Sequence, residues 1–296
     1  MAVFRLSAFA DEADRSLEGQ IAALKTNGVY QVELRGVDGK NVSLLSEEEA
    51  AEVCARLSSE GIKVSSIGSP YGKTGIRDDF EEHFELFKKG LKLTRLLGAD
   101  RIRMFSFFMP KGEDPALYRD EVMRRLDKMA EAARAEEIML VHENEKGIYG
   151  DTDDRCLDIL KEFSGRILGV FDPANFIQCG VHTPEAMEKL KDHIVYMHIK
   201  DALLEDGSVV PAGYGDGHVK ELLEVVSKRA DSMTLTLEPH LKVFAGLSGL
   251  QGEEVKHRFV FNDNAEAFRA SADALKAILK DLGFEESKRS CGTWIK

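Results

Sequence analysis

The sequence predicts an α/β chain folded as a (β/α)8 TIM barrel. Three observations lead there. Eight apolar runs of strand length are each followed by a stretch with helical spacing, at intervals of about 25–40 residues along the 296-residue chain. Strict alternation of strand and helix implies parallel strands, and eight such units imply that the sheet closes on itself. The alternative, an open doubly wound sheet, lacks its usual glycine-rich first turn here, because Phe9 is followed by Ala10-Asp11-Glu12-Ala13. No shift in composition marks a second domain, so residues 1–284 are expected to form one barrel and residues 285–296 a C-terminal tail.

The units follow in order. Residues 4–9 read as the first strand. Ser16 then caps a helix with Leu17, Ile21 and Leu24 at helical spacing, and Gly28 ends it. Residues 29–35 alternate as a second strand that finishes in Glu33-Leu34-Arg35. Ser46 and Glu49 make a capping box on a helix that Gly61 closes. Residues 63–68 are the third strand, 79–98 an amphipathic helix, 101–108 the fourth strand and 115–135 its helix. The second half repeats the rhythm, with strands at 138–143, 167–172, 194–199 and 233–238. Its helices fall at 152–163, from Thr183-Pro184-Glu185 onward, at 219–230 and at 264–282. Three stretches stand outside: a glycine-containing loop at 69–78, a connection at 241–262 long enough for a lid or substrate loop, and the tail. The tail holds Trp294, the only tryptophan, which is expected to dock on the barrel or on another subunit, or else to fray.

Bulk properties exclude some function classes. A net charge of -12 argues against a nucleic-acid partner, which wants a basic face. The four cysteines form no CxxC pair, which fits a reducing compartment. No segment approaches a membrane span or a secretory leader, so a cytoplasmic protein is expected.

Four of the strands end in the same way. Residues 138–141 run into His142-Glu143-Asn144-Glu145, and 169–171 into Asp172-Pro173-Ala174-Asn175. Residues 194–197 run into His198-Ile199-Lys200-Asp201, and 233–237 into Glu238-Pro239-His240. In a barrel these are consecutive strands, and chemistry sits at their C-terminal ends. On the last strand Thr234, Thr236 and Glu238 share the face toward the axis. Glu143, Asp172, His198 and Glu238 therefore converge, and three carboxylates with one imidazole repel unless a cation joins them. A single Glu or Asp after a strand is ordinarily a cap or a solvated charge; one on each of four neighbouring strand ends is not. The donor set is hard and suits Mn²⁺, Mg²⁺ or Co²⁺, with Zn²⁺ also compatible. His142 and His240 flank ligands and are candidate substrate contacts, as are Glu33 and Arg35 at the end of strand two. Lys146 and Lys200 can meet a phosphate or carboxylate. The run 213–218, Gly-Tyr-Gly-Asp-Gly-His, leads into a helix, where its amides can cradle an anion.

These four motifs, in this order, resemble the xylose-isomerase-like barrel superfamily of sugar and sugar-phosphate isomerases and epimerases, over essentially the whole chain. The resemblance implies one divalent metal on Glu143, Asp172, His198 and Glu238, most often Mn²⁺. It implies that Glu143 and Glu238 also exchange a proton with a substrate carbon through an enediolate. Asn175, Lys200 and Asp201 fall beside these ligands as substrate contacts. The partner implied is a small sugar or sugar phosphate, and homo-oligomerisation is compatible. Two positions depart from the ketose 3-epimerase pattern: Asn175 stands where a histidine is expected, and no arginine occurs in 200–204. Three alternatives stay open. One is a metal-dependent dehydratase of an inosose-like keto-polyol. Another is a three-zinc endonuclease of the same superfamily, whose DxH pair Asp216-Gly217-His218 resembles. The third is a sugar-binding barrel without catalysis.

Overall fold

The computed structural model describes residues 2–229, 232–244, 258–288 and 290–296. Eight parallel strands form the barrel: β1 Val3–Ala8, β2 Gln31–Leu34, β3 Lys63–Gly68, β4 Arg101–Met104, β5 Met139–Glu143, β6 Ile167–Phe171, β7 Ile194–Ile199 and β8 Ser232–Leu237. Each pairs with the next from β2 to β8, and β8 returns to β1 with Leu235 beside Leu6. β1 and β2 lie side by side and complete the ring. Around it run the helices α1 Leu17–Thr26, α2 Glu47–Ser59, α3 Phe80–Leu96, α4 Arg119–Ala135 and α5 Asp153–Glu162. The short α6 Pro173–Gln178 precedes α7 Thr183–Leu190, α8 Val219–Ser227 and α9 Asn264–Asp281.

The caps that delimit the helices are those the sequence carries. Ser16 accepts from Gly19 N, and Ser46 and Glu49 form the full capping box. The main core lies between strands and helices, where Phe4, Leu6, Ile102, Leu140, Met197 and Leu235 are buried against the helical layer. Inside the barrel Val141, Val170 and Tyr196 form a small apolar plug. That plug lies below the C-terminal mouth, as packed side chains fill the interior of such a barrel.

Three elements differ from expectation. The fourth strand stops at Met104 rather than 108 because the chain turns to a different partner: Phe105 N donates to Tyr71 O at 2.8 Å and Phe107 N to Gly72 O at 3.0 Å. The loop after β3 is thereby stitched to the loop after β4. Asp172 does not continue the sixth strand; its Oδ1 caps α6 by accepting from Asn175 N. Helix α8 ends at Ser227, and residues 230 and 231 lie outside the described residues.

The tail docks on the barrel. Thr293–Ile295 pairs antiparallel with β1 on the edge not used by β8, and Glu285–Glu286 pairs with the tail strand in turn. Among the described residues no hydrogen-bonded ladder joins β1 to β2, so the tail strand serves that seam at the bottom of the barrel. Trp294 is 1 % exposed, and its Nε1 is buried without an acceptor. Trp294→Ala is expected to lower stability by roughly 3–5 kcal/mol, and Trp294→Phe by clearly less, since the indole N–H is unpaired. Urea unfolding followed by far-ultraviolet circular dichroism checks this; an unchanged midpoint for the alanine variant would show a tail that does not dock in solution.

Candidate metal centre

Strand alternation aims the site. In β7 Tyr196 and His198 point inward and Lys200 follows on the same face; in β8 Thr236 is inward and Glu238 follows. Thr236 lies in register with His198, and Glu143 at the end of β5 is in register with Val170 of β6. The structure brings together all four residues expected as ligands. Glu143, Asp172, His198 and Glu238 are buried, and one donor atom from each lies within 4.8 Å of the others. His198 Nδ1 stands 2.9 Å from Glu143 Oε1, 3.3 Å from Glu238 Oε2 and 3.9 Å from Asp172 Oδ2. These spacings suit donors sharing one divalent ion at about 2.0–2.2 Å. Asp172 Oδ2 is buried and accepts no hydrogen bond, although Lys200 Nζ is within ion-pair range. An inward carboxylate oxygen that accepts no hydrogen bond and has only an ion pair with Lys200 fits a metal ligand, so the residues present fit the group.

The other atoms of these side chains are held from outside. His198 Nε2 faces Glu33 Oε2 at 3.2 Å, and Tyr196 Oη donates to Glu33 Oε1 at 3.0 Å. Glu33 is therefore a partner of the histidine ring, which fixes its orientation. Arg103 Nη1 donates to Glu143 Oε2 at 2.8 Å, and Arg35 Nη1 to Glu238 Oε1 at 3.3 Å. Arg35 also holds Asp11 through two bonds and Glu12 through one, and lies between the Phe9 and Phe244 rings. Gly68 leaves the room this needs: a Cβ there would stand 2.5 Å from the Phe9 ring and 3.2 Å from both arginine side chains.

Charges respond accordingly. Burial raises the Glu143 carboxyl, but His198 and Arg103 outweigh it and hold it down to about 2. Burial acts on Glu238 in the same direction, and Lys200 and His240 overcome it, holding it well below the usual range. For Asp172 burial prevails over Lys200, pushing it up to about 7. Burial disfavours the His198 imidazolium, but Glu143 and Glu33 hold its pKa well above the ordinary value. Glu12 is pushed up to about 8, chiefly by burial against the opposing pull of Arg35.

The remaining candidates fall into two groups. Asn175 reaches the cluster, its Nδ2 donating to Glu143 Oε1 at 3.3 Å and Asn144 O at 2.9 Å. His240 reaches it too, with Nε2 3.6 Å from Glu12 Oε1 and 3.8 Å from Glu238 Oε1. Glu12, Glu238 and His240 form a second group able to hold a cation, but Arg35 already supplies one to both carboxylates. His142 is not brought to the cluster: one residue from Glu143, it points to the opposite face of β5 and meets Ser106 Oγ at 2.9 Å. Burial pushes its pKa down to about 4. Lys146 is exposed on the loop after β5, where Lys73 Nζ pairs with Glu145 at 2.8 Å.

Asp201 corrects the reading of the glycine run. Its carboxylate accepts from Gly213 N, Gly215 N, Gly217 N and Ala202 N at 2.8–3.1 Å. The amide cradle therefore holds the protein's own anion, and Asp201 is turned to that loop instead of the mouth. Asp216 accepts from Leu204 N, and His218 Nδ1 meets Thr183 Oγ1 at 3.3 Å. Neither belongs to a metal-competent group among the described residues, so the three-zinc arrangement does not assemble. Sequence reasoning missed Asp11, Glu12, Tyr196 and Arg103; the charged 101 and 103 positions of an otherwise buried strand were the available signal. Residues 245–257, most of the expected lid loop, lie outside the described residues, as does His257.

The sequence model of the xylose isomerase-like TIM barrel family matches residues 21–278. The chain belongs to this family. A search of curated proteins gives no match. Among solved structures, this xylose isomerase-like barrel is similar to the probable 3-DHS dehydratase of petrobactin synthesis from Bacillus anthracis. That match has a TM-score of 0.71 and 16% identity, covering 93% of this chain and 99% of that one. It is similar to an L-ribulose 3-epimerase, with a TM-score of 0.68 and 18% identity over 96% and 97% of the two chains. A xylose isomerase-like barrel protein from Mycobacterium smegmatis, in complex with magnesium, matches with a TM-score of 0.64 and 16% identity over 93% and 97%. At these identities the likeness shows the fold. Among the described residues no helix is long and apolar enough to cross a membrane.

Asp201→Ala leaves four loop amides without their acceptor and is expected to lower stability by roughly 1–3 kcal/mol. Any divalent ion that the cluster takes up should be held as in the wild type. Denaturant unfolding and elemental analysis of the variant check the two halves; loss of the metal with no loss of stability would place Asp201 in the centre itself.

Proposed function

We propose that this family member is a divalent-metal-dependent isomerase or epimerase acting on a sugar or sugar phosphate. The observation that supports it best is the pair Glu143 and Glu238, which approach the same His198 Nδ1 from two strand ends, at 2.9 and 3.3 Å. A substrate carbon held over the centre has a carboxylate on either side. Nearby positive charge outweighs burial at both, so each rests as a carboxylate rather than as an acid. One glutamate removes the proton beside the carbonyl and keeps it for release to solvent; the other, after taking up a proton from solvent, delivers that proton to the opposite face or to the neighbouring carbon. A divalent ion on Glu143, Asp172, His198 and Glu238, Mn²⁺ first and Mg²⁺, Co²⁺ or Zn²⁺ next, would stabilise the enediolate oxygens as a Lewis acid. Arg103 and Arg35 fix the two glutamates through their outer oxygens. Asn175, Lys200 and His240 are the proposed contacts to substrate hydroxyls or a phosphate. The same proton abstraction begins dehydration of a keto-polyol, which is the second outcome of the test.

The experiment has two steps. Elemental analysis after incubation with each ion is expected to find about one divalent ion per chain, lost in His198→Ala. Ketoses, ketose phosphates and keto-polyols are then incubated with the loaded protein in heavy water. Deuterium at a substrate carbon with the formula otherwise kept supports isomerisation or epimerisation; loss of water supports the dehydratase. Glu143→Gln and Glu238→Gln should each slow exchange by roughly 10²–10⁴-fold. A bound ion with no exchange on any of these substrates would overturn the proposal in favour of a binding barrel.

A further inference from the structure

Three side-chain cations touch the ligand carboxylates, and they do so in two different ways. Arg103 and Arg35 take the outer oxygens, Glu143 Oε2 and Glu238 Oε1. The oxygens that face His198 Nδ1 are the other ones, Glu143 Oε1, Glu238 Oε2 and Asp172 Oδ2. Lys200 is on that inner set: its Nζ lies 2.8 Å from Asp172 Oδ2 and 3.1 Å from Glu238 Oε2. It gets there because it follows His198 by two residues, and alternation returns it to the same inward face. The Lys200 side chain is 2 % exposed, so little water screens its charge from a neighbouring one. The arginines can stay in place beside a metal and orient its ligands. The lysine occupies two of the four atoms that a metal would use.

We propose that Lys200 is a built-in competitor for the metal, an ammonium that shares Asp172 Oδ2 and Glu238 Oε2 with the divalent ion. Its positive charge weakens the ion's binding by repulsion and by drawing on the same lone pairs. Its flexible stem lets it yield to the ion without disturbing the barrel, as the clamped guanidinium of Arg35 cannot. Once yielded, it stands beside the centre as an N–H donor for a substrate oxygen. The inference rests on the metal-binding reading of the cluster, not on the identity of the substrate.

The test is the affinity for Mn²⁺ alone, measured by calorimetry or chelator competition on the full chain, for the wild type, Lys200→Met and Lys200→Arg. Methionine keeps an unbranched stem and removes the charge; arginine keeps the charge. Lys200→Met is expected to bind Mn²⁺ at least about tenfold more tightly than the wild type, while Lys200→Arg stays near it. The melting temperature should rise more on adding Mn²⁺ to Lys200→Met than to the wild type. If Lys200→Met folds only with the ion present, the rate at which a chelator strips it replaces the titration, and slower loss than from the wild type is expected. Equal or weaker binding in Lys200→Met, beside a wild type that binds one ion, would overturn the competitor role and leave the metal centre standing. A wild type that binds no ion would overturn both.

Discussion

Burying four carboxylates, Glu33, Glu143, Asp172 and Glu238, around one imidazole is the constraint on which the site depends. Each carboxylate loses its hydration, and each repels the others across a few ångströms. The structure answers with a shell of fixed positive charge. Arg103 is drawn onto Glu143 from β4, and Arg35 onto Glu238 from just beyond β2. Lys200 comes to Asp172 and Glu238 from just beyond β7. Even so, Asp172 is still pushed up to about 7 by burial, and its inner oxygen accepts no hydrogen bond. Among Glu143, Asp172 and Glu238, Asp172 is thus the carboxylate whose charge the shell offsets least.

Arg35 shows how far that constraint reaches into the fold. It ties Asp11 and Glu12, which follow β1, to Glu238, which follows β8. It is sandwiched between Phe9 and Phe244, and Phe244 in turn stacks on His240. The top of the seam between β1 and β2 is thus closed by charge and aromatic rings. The bottom is served by the tail strand Thr293–Ile295 on the free edge of β1, with Trp294 buried behind it. Exposed strand edges invite pairing with other chains, and here a segment of the same chain covers one.

The glycine run at 213–217 makes a related point about anions. Its backbone amides converge as such runs often do, but Asp201 is already among them. An internal carboxylate turns a would-be anion site into a brace for the loop after β7. That brace stands directly behind Lys200 in the chain and helps to fix where the strand end points.

The eight strand–helix units, the caps at Ser16 and Ser46 and the convergence of Glu143, Asp172, His198 and Glu238 were legible in the sequence because they depend on local pattern: period, capping chemistry and the residue at each strand end. The place of Glu238 on the inward face followed from alternation alone. Other features depended on register between strands far apart in the chain. Arg103 reaches Glu143 because β4 pairs with β5, and Glu33 reaches His198 across the barrel from β2 to β7. His142 was misdirected by being next to Glu143, since one step along a strand reverses a side chain. Asp201 was misjudged because its partners, the loop amides, lie twelve to sixteen residues on. The sequence by itself determined which strand ends carry the clustered polar residues. Only the tertiary structure decided which oxygen of each carboxylate faces the centre and which cation holds the other, because those choices arise from packing between distant strands.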